Sequence, residues 1–176
     1  MNIQGIKEKD FFDDDIYDEE DDDTMKDKYL TFYLGNEVYG IDIYHVIEIV
    51  GIQKITEIPD MPDYVKGVIN LRGQVIPVMD VRIRFNMPPL QYNDRTCVIV
   101  TCMENEHIGL VVDIVEEVVS IPEHDISAPP KVGQKKSKEY IKGMGKTGSD
   151  VKIILDVNKL LFEEQIHELT RHLEKQ

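Results

Sequence analysis

Cysteine is scarce in this 176-residue chain, long apolar runs are missing, and positive charge is in deficit. The two cysteines, Cys97 and Cys102, stand five apart in a segment that reads as one strand. Their side chains therefore point to opposite faces and cannot pair with each other, which suits a reducing compartment. No apolar run approaches the roughly 18 residues of a membrane-spanning helix. Residues 1–8 lack the apolar stretch of a secretory signal. The expectation is a soluble, cytoplasmic protein. Lys and Arg total 20 against 34 Asp and Glu, a net charge of −14. Such a chain lacks the cations that displace counterions from a phosphate backbone, so nucleic acid is not an expected partner.

Catalytic patterns are missing too. Ser120, Ser127, Ser137 and Ser149 all stand outside any GxSxG elbow. His45, His107, His124, His167 and His172 are scattered, and no His or Cys spacing matches a zinc site. His167 and His172, five apart on a terminal helix, fit one face poorly. Cys97 and Cys102 lie in an apolar strand, where a structural thiol is favoured over a nucleophile. The pair Glu116-Glu117 alternates across a strand, with nothing to make its carboxylates converge. The sequence thus points to a binding module with no catalytic residues, metal or cofactor.

What is present begins with charge segregation. Residues 1–28 hold twelve acids against four lysines, a net −8, whereas the other 148 residues carry only −6. Like charges repel, and this stretch cannot bury enough apolar area to offset its ordering entropy, so a disordered acidic tail is expected. Its acids lack the glycine of a calcium loop.

From Tyr29 the texture becomes short β segments joined by turn signals. Leu30, Phe32 and Leu34 alternate with Tyr29, Thr31 and Tyr33, the pattern of a half-buried strand. Gly35-Asn36 then marks a hairpin into residues 37–43, Gly supplying a positive φ. Residues 44–51 read as a helical turn leading into a strand. A second hairpin, 67–71 with 74–79, turns at Arg72-Gly73; positive φ at Gly73 leaves Arg72 at the exposed tip. Pro77 places its strand at an edge or a bulge. A short helix is expected over 80–85, then a hairpin of 96–103 with 107–115 and a strand 116–121. Residues 122–139 read as a long loop containing Lys131, Lys135, Lys136 and Lys138. A last hairpin, 140–146 with 151–157, precedes a helix capped by Asp156, with Phe162, Ile166, Leu169 and Leu173 on one face. Nine or ten short strands with one terminal helix and no βαβ alternation indicate a mainly β, small-barrel or sandwich fold.

Residues 143–148 match GxGxxG, but a strand follows them where a pyrophosphate site needs a helix N-terminus. A nucleotide-binding enzyme is accordingly the least favoured reading. Arg72 suits bidentate contact with a carboxylate, although a solvated turn arginine has the same local signature. Val46, Val115 and Val118 read as core or groove, with composition favouring core. The basic residues 131–138 read as a solvated face, or as a contact for the acidic tail.

Residues 65–68 (Val-Lys-Gly-Val), Asn70-Leu71-Arg72-Gly73 and Val75-Ile76-Pro77-Val78-Met79-Asp80-Val81-Arg82 closely resemble the CheW family of bacterial chemotaxis coupling proteins. Tyr39-Gly40-Ile41-Asp42-Ile43, Gly109-Leu110-Val111-Val112-Asp113 and Tyr140-Ile141-Lys142-Gly143-Met144-Gly145 match as well, in order, over about residues 29–161. The resemblance implies two packed SH3-like five-stranded β-barrels with a C-terminal α-helix. The implied organisation is a tail over 1–28, a double-barrel domain over 29–160 and a helix over 161–176. It implies an adaptor coupling the cytoplasmic tips of chemoreceptors to the regulatory domain of the CheA histidine kinase, recruited to arrays at the inner face of the membrane through receptors alone. A paralogue serving another motility or gene-regulation pathway is the alternative. Receptor-contacting positions of the family fall at Val46, Glu48, Gly67, Arg72, Gly73, Gly109, Val115 and Val118. This favours Arg72 as a contact and the valines as groove. An apolar groove rimmed by an arginine suits a helical hairpin carrying a carboxylate.

Overall fold

The computed structural model describes residues 24–130 and 139–161. The acidic residues 1–23, the basic residues 131–138 and the helical face of Phe162, Ile166, Leu169 and Leu173 lie outside the described residues.

Eleven strands are described: β1 (Lys28–Leu34), β2 (Glu37–Asp42), β3 (Val46–Gly51), β4 (Val65–Leu71), β5 (Gln74–Asp80), β6 (Cys97–Met103), β7 (Glu106–Val112), β8 (Ile114–Ser120), β9 (Ile126–Ser127), β10 (Ile141–Thr147) and β11 (Asp150–Leu155). Two short helices accompany them, α1 (Val81–Arg84) and α2 (Val157–Leu161). The strands form a six-stranded sheet in the order β8-β1-β2-β11-β10-β9 and a five-stranded sheet in the order β3-β6-β7-β5-β4. The fold is mainly β, as expected. The sixth strand of the first sheet is the two-residue β9, inside the segment read from sequence as a plain loop.

Local chemistry accounts for most elements. Asp42 accepts the Tyr44 N–H and starts a 3-10 turn, Ile43–His45, that leads straight into β3. Asp80 caps α1 by accepting the Ile83 N–H, and Asp156 accepts the Lys159 N–H at the start of α2. The two-residue turns β1–β2 and β10–β11 place Gly35 and Gly148 at φ 63°. In β4–β5 both turn residues are left-handed, Arg72 at φ 52° and Gly73 at φ 85°. That makes a mirror-image turn whose twist matches a hairpin, so Arg72 shares the positive φ expected of Gly73 alone.

The five-stranded sheet closes on itself. After β3 the chain returns to pair Thr56 with Val68 of β4, joining the two ends of the five-stranded order. Ile69, Ile76, Val78, Val98, Val100 and Val111 fill this barrel. Tyr29, Ile121 and Ile154 form the corresponding core of the six-stranded sheet. The largest cluster lies between the sheets and draws Leu30, Phe32 and Leu34 from β1, Ile99 from β6, and Ile108, Leu110 and Val112 from β7. β1 is therefore buried on both faces, not half-buried. Leu30, Phe32 and Leu34 enter the inter-sheet core, and Tyr29 and Thr31 are buried on the opposite face.

Two other expectations are corrected. β5 is an interior strand, between β7 and β4, so Pro77 is not at an edge. Val68, opposite Pro77, directs its N–H and C=O to Thr56, so this is a non-hydrogen-bonded pair and Pro77 faces away from β4. Pairing with β7 begins only at Val78, so no ladder bond is lost at the proline. The bulge lies opposite, in β4 between Val65 and Gly67. Secondly, the β6–β7 turn is two residues long, Glu104-Asn105, both left-handed, and β7 stops at Val112. The expected strands 107–115 and 116–121 are β7 and β8 divided instead at Asp113, which carries the chain from one sheet to the other. Apolar residues on both sides hid that break in the sequence.

Candidate functional site

The most accessible of the eight candidate positions is the β4–β5 tip. Asn70 Oδ1 accepts the Gly73 N–H at 2.9 Å and fixes the turn. The Arg72 side chain is 69% exposed, yet its Nη2 donates to Oε1 of Glu48, which is nearly buried. Glu48 owes its placement to a bulge in β3, where Val46 sits opposite Thr101 but Glu48 opposite Val100. Val46 therefore enters the inter-sheet core, whereas Glu48 faces the side of Val100, inside the five-stranded barrel. Arg72 and Glu48 thus tie the β4–β5 tip to β3, at opposite ends of the five-stranded order.

β8 carries the second group. Residues three apart on a regular strand point to opposite faces. Here Val118 pairs with Leu30 and Val115 with Phe32, while Glu116 and Glu117 together oppose Thr31. This bulge puts both valines on the side of Leu30 and Phe32, half-buried against the inter-sheet core that also holds Val46. Core and groove are therefore not exclusive for these valines.

The remaining candidates are glycines, two of them closely packed. A Cβ at Gly67, where φ is 140°, would lie 2.0 Å from the Thr56 carbonyl oxygen. A Cβ at Gly109 would lie 2.6 Å from Val98 Cγ1 and 2.9 Å from Val78 Cγ1. Gly73 has open space at its Cβ position. The eight positions form two groups, the Arg72 clasp and the β8 valines, with Gly67 and Gly109 as backbone constraints within the five-stranded barrel.

Two polar clusters escaped the sequence reading. Glu116 and Glu117 do converge, because the bulge brings both toward Lys152 Nζ, at 3.2 and 3.6 Å. Lys152 is nearly buried. Thr31 Oγ1 lies 2.8 Å from the Glu117 carbonyl and 3.0 Å from Glu116 Oε2, and Tyr33 donates to Glu116 Oε1 at 3.2 Å. Burial alone raises the Glu116 carboxyl pKa, but the bonds from Lys152, Thr31 and Tyr33 outweigh it and hold the group below its ordinary value. The second cluster joins Arg82 to Asp113, with Nε 2.9 and 3.1 Å from the two carboxylate oxygens. Both residues stand inside motif segments quoted above, which was the available signal.

The glycines of the GxGxxG segment pack within a hairpin. A Cβ at Gly143 would meet Ile126 Cγ2 at 2.5 Å, and one at Gly145 would meet Ile121 Cδ1 at 2.9 Å. Burial pushes the Cys97 thiol up, away from nucleophilic character. Among the described residues no group of His, Cys, Asp and Glu is arranged to hold a metal ion, and no helix is long and apolar enough to cross a membrane.

Known proteins resemble this arrangement throughout. The family description "CheW-like domain" matches residues 28–165. Chemotaxis protein CheW of Klebsiella aerogenes is 39% identical over 144 residues, 82% of this chain and 87% of that protein. Chemotaxis protein CheW of Treponema pallidum is 34% identical over 144 residues, 80% and 85% of the two chains. The crystal structure of the scaffolding protein TtCheW from Thermoanaerobacter tengcongensis superposes with a TM-score of 0.71 at 34% identity, covering 79% of this chain and 90% of that one. With the double-sheet fold, the left-handed Arg72-Gly73 tip and a family match across nearly all described residues, the chain belongs to the CheW family.

Proposed function

We propose that this protein is a chemotaxis adaptor that couples the cytoplasmic tips of chemoreceptors to the regulatory domain of the CheA histidine kinase within receptor arrays. The observation that carries this reading is the family match over residues 28–165. The adaptor body is residues 29–160, with the acidic segment 1–28 and the segment 161–176 appended. It contributes coupling free energy and no chemistry. Receptor state biases the kinase only if contacts made by the adaptor differ between the two states.

Receptor contact falls to Arg72, Gly73 and Glu48 on one barrel and to Val115 and Val118 on the other. Val46, in the core that also packs the valines, and Gly67 and Gly109 complete the eight positions, the two glycines by shaping the backbone of the five-stranded barrel. An exposed arginine anchored at one nitrogen keeps other donors for a receptor carboxylate, and the half-buried valines suit the apolar face of a helix.

The test is kinase autophosphorylation in receptor-containing membranes with and without this protein. Protein-dependent activation that attractant suppresses is the expected result. A folded protein that leaves the cognate kinase inactive would sink the coupling role. Arg72→Ala is expected to weaken co-sedimentation with receptor membranes while the fold persists. Undiminished co-sedimentation by that variant would remove Arg72 from the contact surface.

A further inference from the structure

We infer that the Arg82–Asp113 pair is a positioning device that sets the start of β8, and through it the presentation of Val115 and Val118. This inference rests on the reading of those valines as receptor contacts. Asp113 is the sole residue between β7, in the five-stranded sheet, and β8, in the six-stranded sheet. A lone linker residue has two soft backbone dihedrals, so whatever holds it sets the direction in which β8 departs.

Three elements hold it. From the five-stranded side, Arg82 of α1 brings Nε within 2.9 and 3.1 Å of both Asp113 oxygens, while its Nη1 donates to the Pro88 carbonyl at 3.2 Å. From the six-stranded side, the Gly35 N–H donates to Asp113 Oδ2 at 2.8 Å. The backbone N–H of Asp113 donates to the Tyr33 carbonyl at 3.2 Å. The two charged side chains are each only 13% exposed, so water screens the pair far less than it screens a surface bridge. The Arg82 guanidinium also lies beside the β1–β2 turn, with Nη2 3.8 Å from where a Gly35 Cβ would stand. One carboxylate therefore locks the α1 end of one barrel to the β1–β2 turn of the other, two residues before Val115. The β8 bulge then carries that orientation to Val118, since Ile114, Val115 and Val118 are all in register with β1.

Arg72 and Glu48 belong to a single barrel and bridge nothing across the sheets. Arg82 and Asp113 act instead on the angle between the two candidate contact groups. They touch no receptor; they orient the residues that do.

The experiment is a double-mutant cycle on the full chain with Arg82→Gln and Val118→Ala, reading affinity for receptor membranes and, separately, for the kinase regulatory domain. Arg82→Gln leaves the Asp113 carboxylate with the Gly35 N–H but without its cation. The expected result is a roughly tenfold loss of receptor affinity, with kinase-domain affinity changed less than twofold. The double variant is expected to lose clearly less than the sum of the two single losses, because Val118 is one of the two contacts that Arg82 orients. Arg82→Lys, which keeps the charge but loses the fork, should recover part of the loss; it also serves as the test variant should Arg82→Gln not fold. Fully additive losses, or equal losses toward receptor and kinase, would overturn the positioning role. If Val118→Ala alone leaves receptor affinity untouched, the assignment of β8 as a contact fails instead, whatever Arg82→Gln does.

Discussion

Single residues constrain this fold through backbone geometry as much as through burial. Gly67 is the clearest case. At φ 140° and 2.0 Å from a backbone oxygen, any Cβ must move the Thr56 backbone that closes the five-stranded barrel. Strain and overpacking together predict that Gly67→Ala loses on the order of 3 kcal/mol, checked by urea unfolding. Arg72 behaves differently. It already bears the left-handed conformation, which Ala tolerates no better, so Arg72→Ala loses only the bond to Glu48. The expected cost is about 1 kcal/mol, or roughly 2–4 °C in Tm, because the arginine end of the pair is solvent-screened. The tip position of Arg72 and the Asp156 cap were legible in the sequence, since each follows from short-range chemistry. The partner of Arg72 was not: Glu48 stands 24 residues away, and no local pattern links them.

At the scale of elements, bulges decide where side chains go. β3, β4 and β8 each carry a register shift, and each moves a candidate residue to a face that simple alternation would not give it. In β8 the bulge is knit by Thr31, Lys152 and Glu116, which has a consequence in pH. The folded-state pKa of Glu116 lies below its ordinary value near 4.5, so its charged form stabilises the fold. That contribution is present above about pH 4.5 and is lost as pH falls through the lower folded value. Wild type and Glu116→Gln should therefore differ in Tm at pH 6–7 and converge progressively below pH 4.5. A gap that stays constant down to pH 3 would exclude the carboxylate as its source. The hairpins themselves were readable, because Gly-Asn, Arg-Gly and Gly-Ser turns declare themselves within four residues. The Asp113 break was not, because Val-Val-Asp-Ile-Val has the composition of a continuous strand.

At the scale of the whole molecule, the inter-sheet core joins the two sheets through one continuous apolar cluster. Phe32 is fully buried there and stacks with Tyr39, which stacks on Phe85, which in turn stacks on Tyr140. Phe32 and Tyr39 belong to the six-stranded sheet, and Phe85 follows α1 beside the five-stranded one. Arg84 extends the chain of rings, its guanidinium carbon 4.3 Å from the Tyr64 centroid and 4.6 Å from that of Tyr140. Phe32→Ala should cost about 3–5 kcal/mol. Because the lost contacts span both sheets, tyrosine fluorescence and far-UV dichroism should still follow one coincident unfolding transition. Two resolved transitions would show the barrels to be separate folding units. An adaptor that conveys a bias from one surface to another needs this kind of rigid body, with two contact groups held at a fixed angle.

Composition, turn chemistry and the motif segments sufficed for a mainly β chain of short hairpins, for an acidic N-terminal stretch distinct from the rest, and for the CheW resemblance. All of these depend on residues within a few positions of one another. The tertiary structure alone decided which strands share a sheet, that β1 is buried on both faces, that Val115 and Val118 share one, and that Arg72 meets Glu48, Lys152 meets Glu116 and Arg82 meets Asp113. Those pairings join residues 24 to 36 positions apart. Such contacts arise only when sheets curl and bulges shift register, and neither leaves a period in the sequence for a local reading to find.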